Sequence, residues 1–245
     1  MLHQLFEAIQ SRRPSFLANE KWQTIPFTHN QPHPFHLLLN HGAQIPALLE
    51  KFDLFMESSP LQSSSISVAT AYSLWMAFNE VISNLADWEF SSYSAKSQFL
   101  WPRFASGDVS DEIKMEQQLW FSDAAAANAF THLWAFMIIC LRHQFLLRIA
   151  FPMLNFQSDI EKAEIICVFG LAARIINSMT YLLQDEMRLK GQMEALLPFT
   201  MAQNVFFVGE ELEFEGTPAV VERLRVYCKE IAEEFRRKGF DLSLF

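Results

Sequence analysis

The sequence predicts an all-α fold: a single multi-helix, bundle-like domain over residues 1–245, built around a central buried helix at 121–151. Three observations predict it. The stretch FSDAAAANAFTHLWAFMIICLRHQFLLRIAF, Phe121 to Phe151, contains neither Gly nor Pro and is rich in strong helix formers. Apolar residues recur at helical spacing along most of the chain, and no segment alternates as a strand would. Hydrophobic residues make up 51% of the chain, with 24 Phe and 6 Trp, enough for a sizeable core.

Taken in order, Leu2 to Gln10 reads as a short helix with Leu2, Leu5, Phe6 and Ile9 on one side, broken by Ser11-Arg12-Arg13-Pro14. Residues 22–36 carry three prolines and read as a loop docking its aromatics on the core. His33 and His36 lie there, in a backbone that does not fix metal-ligand geometry. Phe35 to Met56 is helical, with Gly42 and Pro46 as the points where it splits. Ser58 to Ser65 is a Ser/Pro linker, and a long helix runs from about Ile66 to Phe90. The 91–111 loop holds Phe99, Trp101 and Phe104 and reads as a covering for the core or a lid over a pocket. In the central helix Phe130, Trp134, Met137, Leu141 and Phe145 form one large apolar face. Asn128, His132, Ala135, Ile139 and His143 form a strip of polar and small residues on the other. A further helix, 160–189, ends at Gly191. It carries the strip Cys167, Gly170, Arg174, Asn177, Tyr181 and Gln184. The next helix covers 192–208 with Pro198 inside. After the acidic turn EELEFEG, Thr217 caps a last helix that Pro218 opens and that runs to Lys238.

Charge and motifs exclude several classes. The formal net charge of −9 repels phosphate backbones, so direct DNA binding by this chain is not expected. Three dispersed cysteines form neither a disulfide framework nor a zinc finger. The longest apolar run, Leu133 to Leu141, stops at Arg142, short of a bilayer span, and the N-terminus does not read as a signal peptide. An intracellular protein, cytoplasmic or nuclear, with no membrane partner is expected; a homodimer is allowed. There is no glycine-rich phosphate loop, no GxSxG and no HExxH, and paired carboxylates at magnesium-binding spacing are missing. No metal and no cofactor are therefore expected.

The two mixed strips are the candidate site. Small residues, Ala125 and Ala135 on one helix and Gly170 on the other, leave room beside polar groups that must find partners. The expectation is an apolar cavity between the 121–151 and 160–189 helices. Asn128, His132 and His143 line one wall; Arg174, Asn177 and Tyr181 line the other. Asn128, His132, Ala135, Arg174, Asn177 and Tyr181 are the candidate ligand-binding residues. His132, His143 and Tyr181 are the catalytic candidates, with His132 first, as donor to a carbonyl or as acid/base near neutral pH. The same strips also read as polar groups that pair with one another or with water.

A resemblance runs along most of the chain. The segments SRRPSFLANEKWQTIPF (11–27), QIPALLEKFD (44–53), FSDAAAANAFTHLWA (121–135), SMTYLLQDEMRLKGQMEALLPFTMA (178–202) and RVYCKEIAEEFRRKGFDL (225–242) resemble the C-terminal regulatory region of fungal zinc binuclear-cluster transcription factors. The fourth, a helix ending near Gly191 followed by a Leu-Pro-Phe turn, is the most specific. The resemblance implies an all-helical domain that senses or transmits a signal, with no catalytic residues to carry over. That family's DNA-binding module has six clustered cysteines and a basic segment, and neither is present here. Either a fragment or a product lacking the DNA-binding half is expected.

Two functions follow. The first is a stand-alone helical regulatory-type domain that binds a hydrophobic small molecule, linked to fungal secondary metabolism. The second is a cofactor-free cyclase or pericyclase, Diels–Alderase-like, acting on a polyketide or terpenoid in an apolar cavity. Such chemistry needs only a shaped cavity and one or two hydrogen-bond donors.

Overall fold

Asp123 accepts a hydrogen bond from the backbone N–H of Ala126 at 2.8 Å, and the longest run of helix formers starts on that cap. In the computed structural model this helix, α6, spans Ala124–Ala150. Phe151 closes its last turn on the carbonyl of Leu147, and Pro152 opens a short 3-10 turn that stops it. The structure describes residues 1–58, 65–94, 103–104, 118–154, 158–208, 218–240 and 242.

The all-helical expectation holds. Before α6 come α1 (Leu2–Ser11), α2 (Glu20–Thr24), α3 (Pro34–Gly42), α4 (Ile45–Ser58) and α5 (Ser65–Ser94). After it come α7 (Ser158–Leu182), α8 (Arg188–Val208, with Pro198 inside) and α9 (Pro218–Arg237). Among the described residues the only strands are β1 (Arg103–Phe104) and β2 (Leu119–Trp120), an antiparallel pair joining Arg103 to Trp120 and Phe104 to Leu119. The 22–36 segment is less irregular than its prolines suggest. Trp22 lies in α2, Ile25–Phe27 form a 3-10 turn, and Pro34 starts α3 from its first turn, where a missing N–H costs nothing. The expectations for the 59–64 linker, for Phe99 and Trp101 in the lid, for the acidic turn and for the Thr217 cap lie outside the described residues.

Packing divides the chain into two compact units. The first comprises Met1–Ser94 with Ile139–Glu164; the second comprises Ala95–Ile138 with Ile165–Phe245. The sequence of α6 is thus shared between them. In the first unit α3 and α4 pack on α5, and α1 packs on α3 and α4. The Trp88 indole N–H of α5 donates to the Pro34 carbonyl at 2.9 Å, and the Gln144 amide donates to the Trp75 carbonyl at 3.1 Å. In the second unit α8 packs on α9, with Phe199 and Phe235 in ring contact at 5.1 Å. α6 is long and apolar enough to cross a bilayer by length and composition, but 83% of that window is buried, as in a core helix.

Two helix ends depart from the sequence reading or refine it. The helix expected at 160–189 stops at Leu182, and a 3-10 turn at Asp185–Met187 leads into α8. Gly191 therefore does not end a helix; it lies in the first turn of α8. A Cβ there would stand 2.5 Å from Met187 Cβ and 2.7 Å from the Leu182 carbonyl oxygen. α9 ends as expected at Gly239, at φ 90°. Gly239 N–H bonds the Arg236 carbonyl, Phe240 N–H bonds the Phe235 carbonyl, and the two Phe rings touch edge to face at 6.0 Å. That is a complete Schellman cap with its apolar contact.

Two of the three thiols are buried. Cys140 lies in the first unit and Cys228 in the second, and burial raises both, Cys228 to about 12. Cys167 is exposed.

Candidate functional site

Helical spacing puts Asn128, His132 and Ala135 on one face of α6, and all three are buried in the second unit. His132 is 1% exposed; its Nδ1–H donates to the Asn128 carbonyl at 2.8 Å, and its ring meets Phe136 edge to face at 6.0 Å. Burial lowers its pKa to about 4, against a smaller upward pull from that hydrogen bond. At neutral pH the ring is uncharged, and with the proton on Nδ1 its Nε2 has acceptor chemistry. The Asn128 carbonyl also receives the Thr131 hydroxyl at 3.2 Å. The Asn128 side chain differs. It is 4% exposed, and its Oδ1 has no hydrogen-bond partner among the described residues.

Two of the residues expected on the opposite wall have aromatic neighbours. On α7, the Arg174 guanidinium lies 5.8 Å from the centre of the Trp134 ring. Tyr181 packs edge to face on Trp120 at 5.7 Å and on Phe121 at 5.4 Å, and Phe121 stacks on Phe130 at 6.4 Å. Phe130 and Trp134 stand half a turn around α6 from Asn128 and His132. Arg174 therefore lies against the large-aromatic face of α6, and Tyr181 against the Trp120–Phe121 segment that precedes it. The reason is area: Phe130 and Trp134 are the larger apolar surfaces, and covering them removes more of it from water. Asn177 is buried; Arg174 is exposed. Burial, and then the Asp123 carboxylate, hold the Tyr181 hydroxyl above its ordinary pKa.

His132 belongs to the second unit, and His143 belongs to the first. There its ring stacks on Phe78 at 5.6 Å and meets the edge of Phe52 at 4.8 Å. Its Nδ1–H donates to the Ile139 carbonyl at 2.7 Å, and its Nε2 faces Arg12 Nη1 at 3.5 Å. Arg12 Nη1 also pairs with Asp53 Oδ1 at 2.7 Å. Burial is the main cause that lowers His143 to about 4; the Ile139 bond and Asp53 pull upward, and Arg12 and Arg142 push further down.

Arg12 and Asp53 were not legible as partners. Arg12 read only as part of the break after α1, and 41 positions separate it from Asp53. Arg12 also holds φ 51°, the one positive φ among the described residues that are not Gly. It closes α1 through two backbone bonds, Arg12 N–H to Ile9 and Arg13 N–H to Ala8, a place usually given to Gly. The other two flagged histidines lie at the start of α3, and the buried Nδ1 of His36 has no hydrogen-bond partner among the described residues. His33 Nδ1 accepts the Phe35 N–H at 3.2 Å as the cap of α3, and His36 packs on Phe27 at 5.5 Å. Among the described residues no three His, Cys, Asp or Glu side chains cluster as a metal site would need.

No protein-family model, no curated protein and no solved structure matches this chain.

Proposed function

We propose that the second unit receives a small apolar molecule bearing a hydrogen-bond donor at Asn128 and His132, and that the chain is a regulatory-type helical domain responding to it. The observation that carries this reading is the orphaned Oδ1 of Asn128 in an apolar interior. A buried acceptor without a partner costs about 1–3 kcal/mol, and a ligand hydroxyl or N–H would recover it. The neutral ring of His132, on the same face of α6, adds no charge that an apolar molecule would have to desolvate. Phe136, edge to face with the His132 ring, gives this face of α6 an apolar neighbour. The resemblance to fungal regulatory regions supports sensing over catalysis, and the net charge of −9 supports action without direct contact to DNA.

The test is retention of compounds from cell extract by the pure protein, read by mass spectrometry, with Asn128→Leu in parallel. The wild type is expected to keep a donor-bearing apolar compound that the variant releases. Equal retention by both proteins, or none by either, sinks the reading. Recovery of a chemically altered compound would mark the chain as an enzyme instead.

A further inference from the structure

We propose that the exposed ridge of α5, in the first unit, docks the same ridge of a second copy of this chain, with the two helices antiparallel. Stepping along α5 from Ile66 to Phe90 by three and four residues in alternation, every position met is exposed. That spacing keeps a single seam on one side of the helix, about 36 Å long. Its ends carry the most exposed large apolar residues of α5, Ile66 at 77% and Phe90 at 72%, and Met76 lies between them. Leu74, Phe78, Val81 and Leu85 are buried on the other side, so the seam is no part of the core of its own unit.

Symmetry and charge select the occupant. The alternation of three and four reads the same in both directions about residue 78. Two antiparallel copies therefore match seam to seam, and Ile66 of each meets Phe90 of the other. A chain of net charge −9 repels its own copies, but residues 65–79 of α5 carry no charge, and its acids, Glu80, Asp87 and Glu89, all follow them. Parallel copies would set Glu80 on Glu80 and Asp87 on Asp87. Antiparallel copies set Glu80 beside Met76, and Asp87 beside Ala69 at the start of the other helix. A helix N-terminus is electropositive, and α5 has no acidic residue in its own first turn to balance it. Asp87 of the second copy supplies that charge; in its own chain it makes no hydrogen bond or ion pair among the described residues. α5 lies wholly in the first unit and Asn128 in the second, so self-association is independent of any ligand at Asn128.

Sedimentation equilibrium of the full chain over a wide concentration range should show a monomer–dimer equilibrium. Met76, at 42% exposure, allows two opposite charge tests at one surface position. Met76→Lys meets Glu80 of the other copy on both sides of the two-fold axis and should tighten the dimer several-fold. Met76→Glu adds like charge at the same places and should abolish it. Orientation is read by disulfide trapping in a Cys167→Ser background, with oxidised glutathione as the oxidant. Ser73 and Ser83 are both exposed, and residue 73 of one copy meets residue 83 of the other. Ser73→Cys and Ser83→Cys proteins should therefore cross-link when mixed, and neither should cross-link alone. A monomer at every concentration, a dimer that Met76→Glu leaves intact or Met76→Lys weakens, or cross-linking of either cysteine variant alone overturns the proposal.

Discussion

Gly191 and Leu182 approach so closely that a Cβ on residue 191 would lie 2.7 Å from the Leu182 carbonyl oxygen. The end of α7 and the first turn of α8 fit only because that hydrogen replaces a methyl. Met187 Cβ, at 2.5 Å from the same point, cannot yield as a flexible side-chain tip would. Gly191→Ala should therefore destabilise the second unit by about 1–3 kcal/mol despite the better helix propensity of alanine. Urea denaturation of the variant checks this. A gain in stability would mean that the turn relaxes freely.

Stability should fall with acid through two histidines. His132 and His143 have folded pKa values lowered from 6.5 to about 4. Between those values the unfolded chain binds protons that the folded chain refuses. Their stabilising effect is thus complete above pH 6.5 and is lost as pH drops toward 4. Each depression corresponds to roughly 3 kcal/mol at its limit. Denaturation midpoints at pH 7.5 and 4.5 should differ less in His132→Gln and in His143→Gln than in the wild type. An unchanged pH dependence in both variants would show that carboxylates alone set it.

At Arg12 the order of two substitutions is the informative result. Arg12→Ala loses the Asp53 bond and keeps the positive φ, whereas Arg12→Gly loses the same bond and relieves the backbone. Arg12→Gly should be the more stable of the two by about 1 kcal/mol. Thermal melts at one pH and salt concentration decide it.

Asn128→Leu should leave the melting temperature unchanged or raise it, since it replaces an orphaned amide by apolar atoms of similar size. A loss above about 2 kcal/mol would show that the amide is already satisfied in solution, and would remove the ground for a ligand there.

Sequence patterns made the helix boundaries readable where punctuation is local. Asp123 and Pro152 bracket α6, Gly42 and Pro46 mark the α3–α4 break, and Pro218 and Gly239 bracket α9. Gly191 was misread because glycine serves both helix ends and close approaches, and only the position of Leu182 tells them apart. The candidate site fared worse for a related reason. Spacing shows that Asn128 and His132 share a face; it does not show which face of α6 a neighbour covers. Trp134 drew Arg174 to the other side. The Arg12–Asp53–His143 cluster joins residues 41 and 131 positions apart, a link that no local pattern carries.

The buried thiols have a practical consequence. Cys140 and Cys228 stand one in each unit, and burial keeps both in the unreactive thiol form. An alkylating reagent should modify Cys167 in the native protein and reach the other two only when their own unit opens. Timed alkylation followed by peptide mapping would then give the opening rate of each unit separately, from natural residues and with no engineered probe.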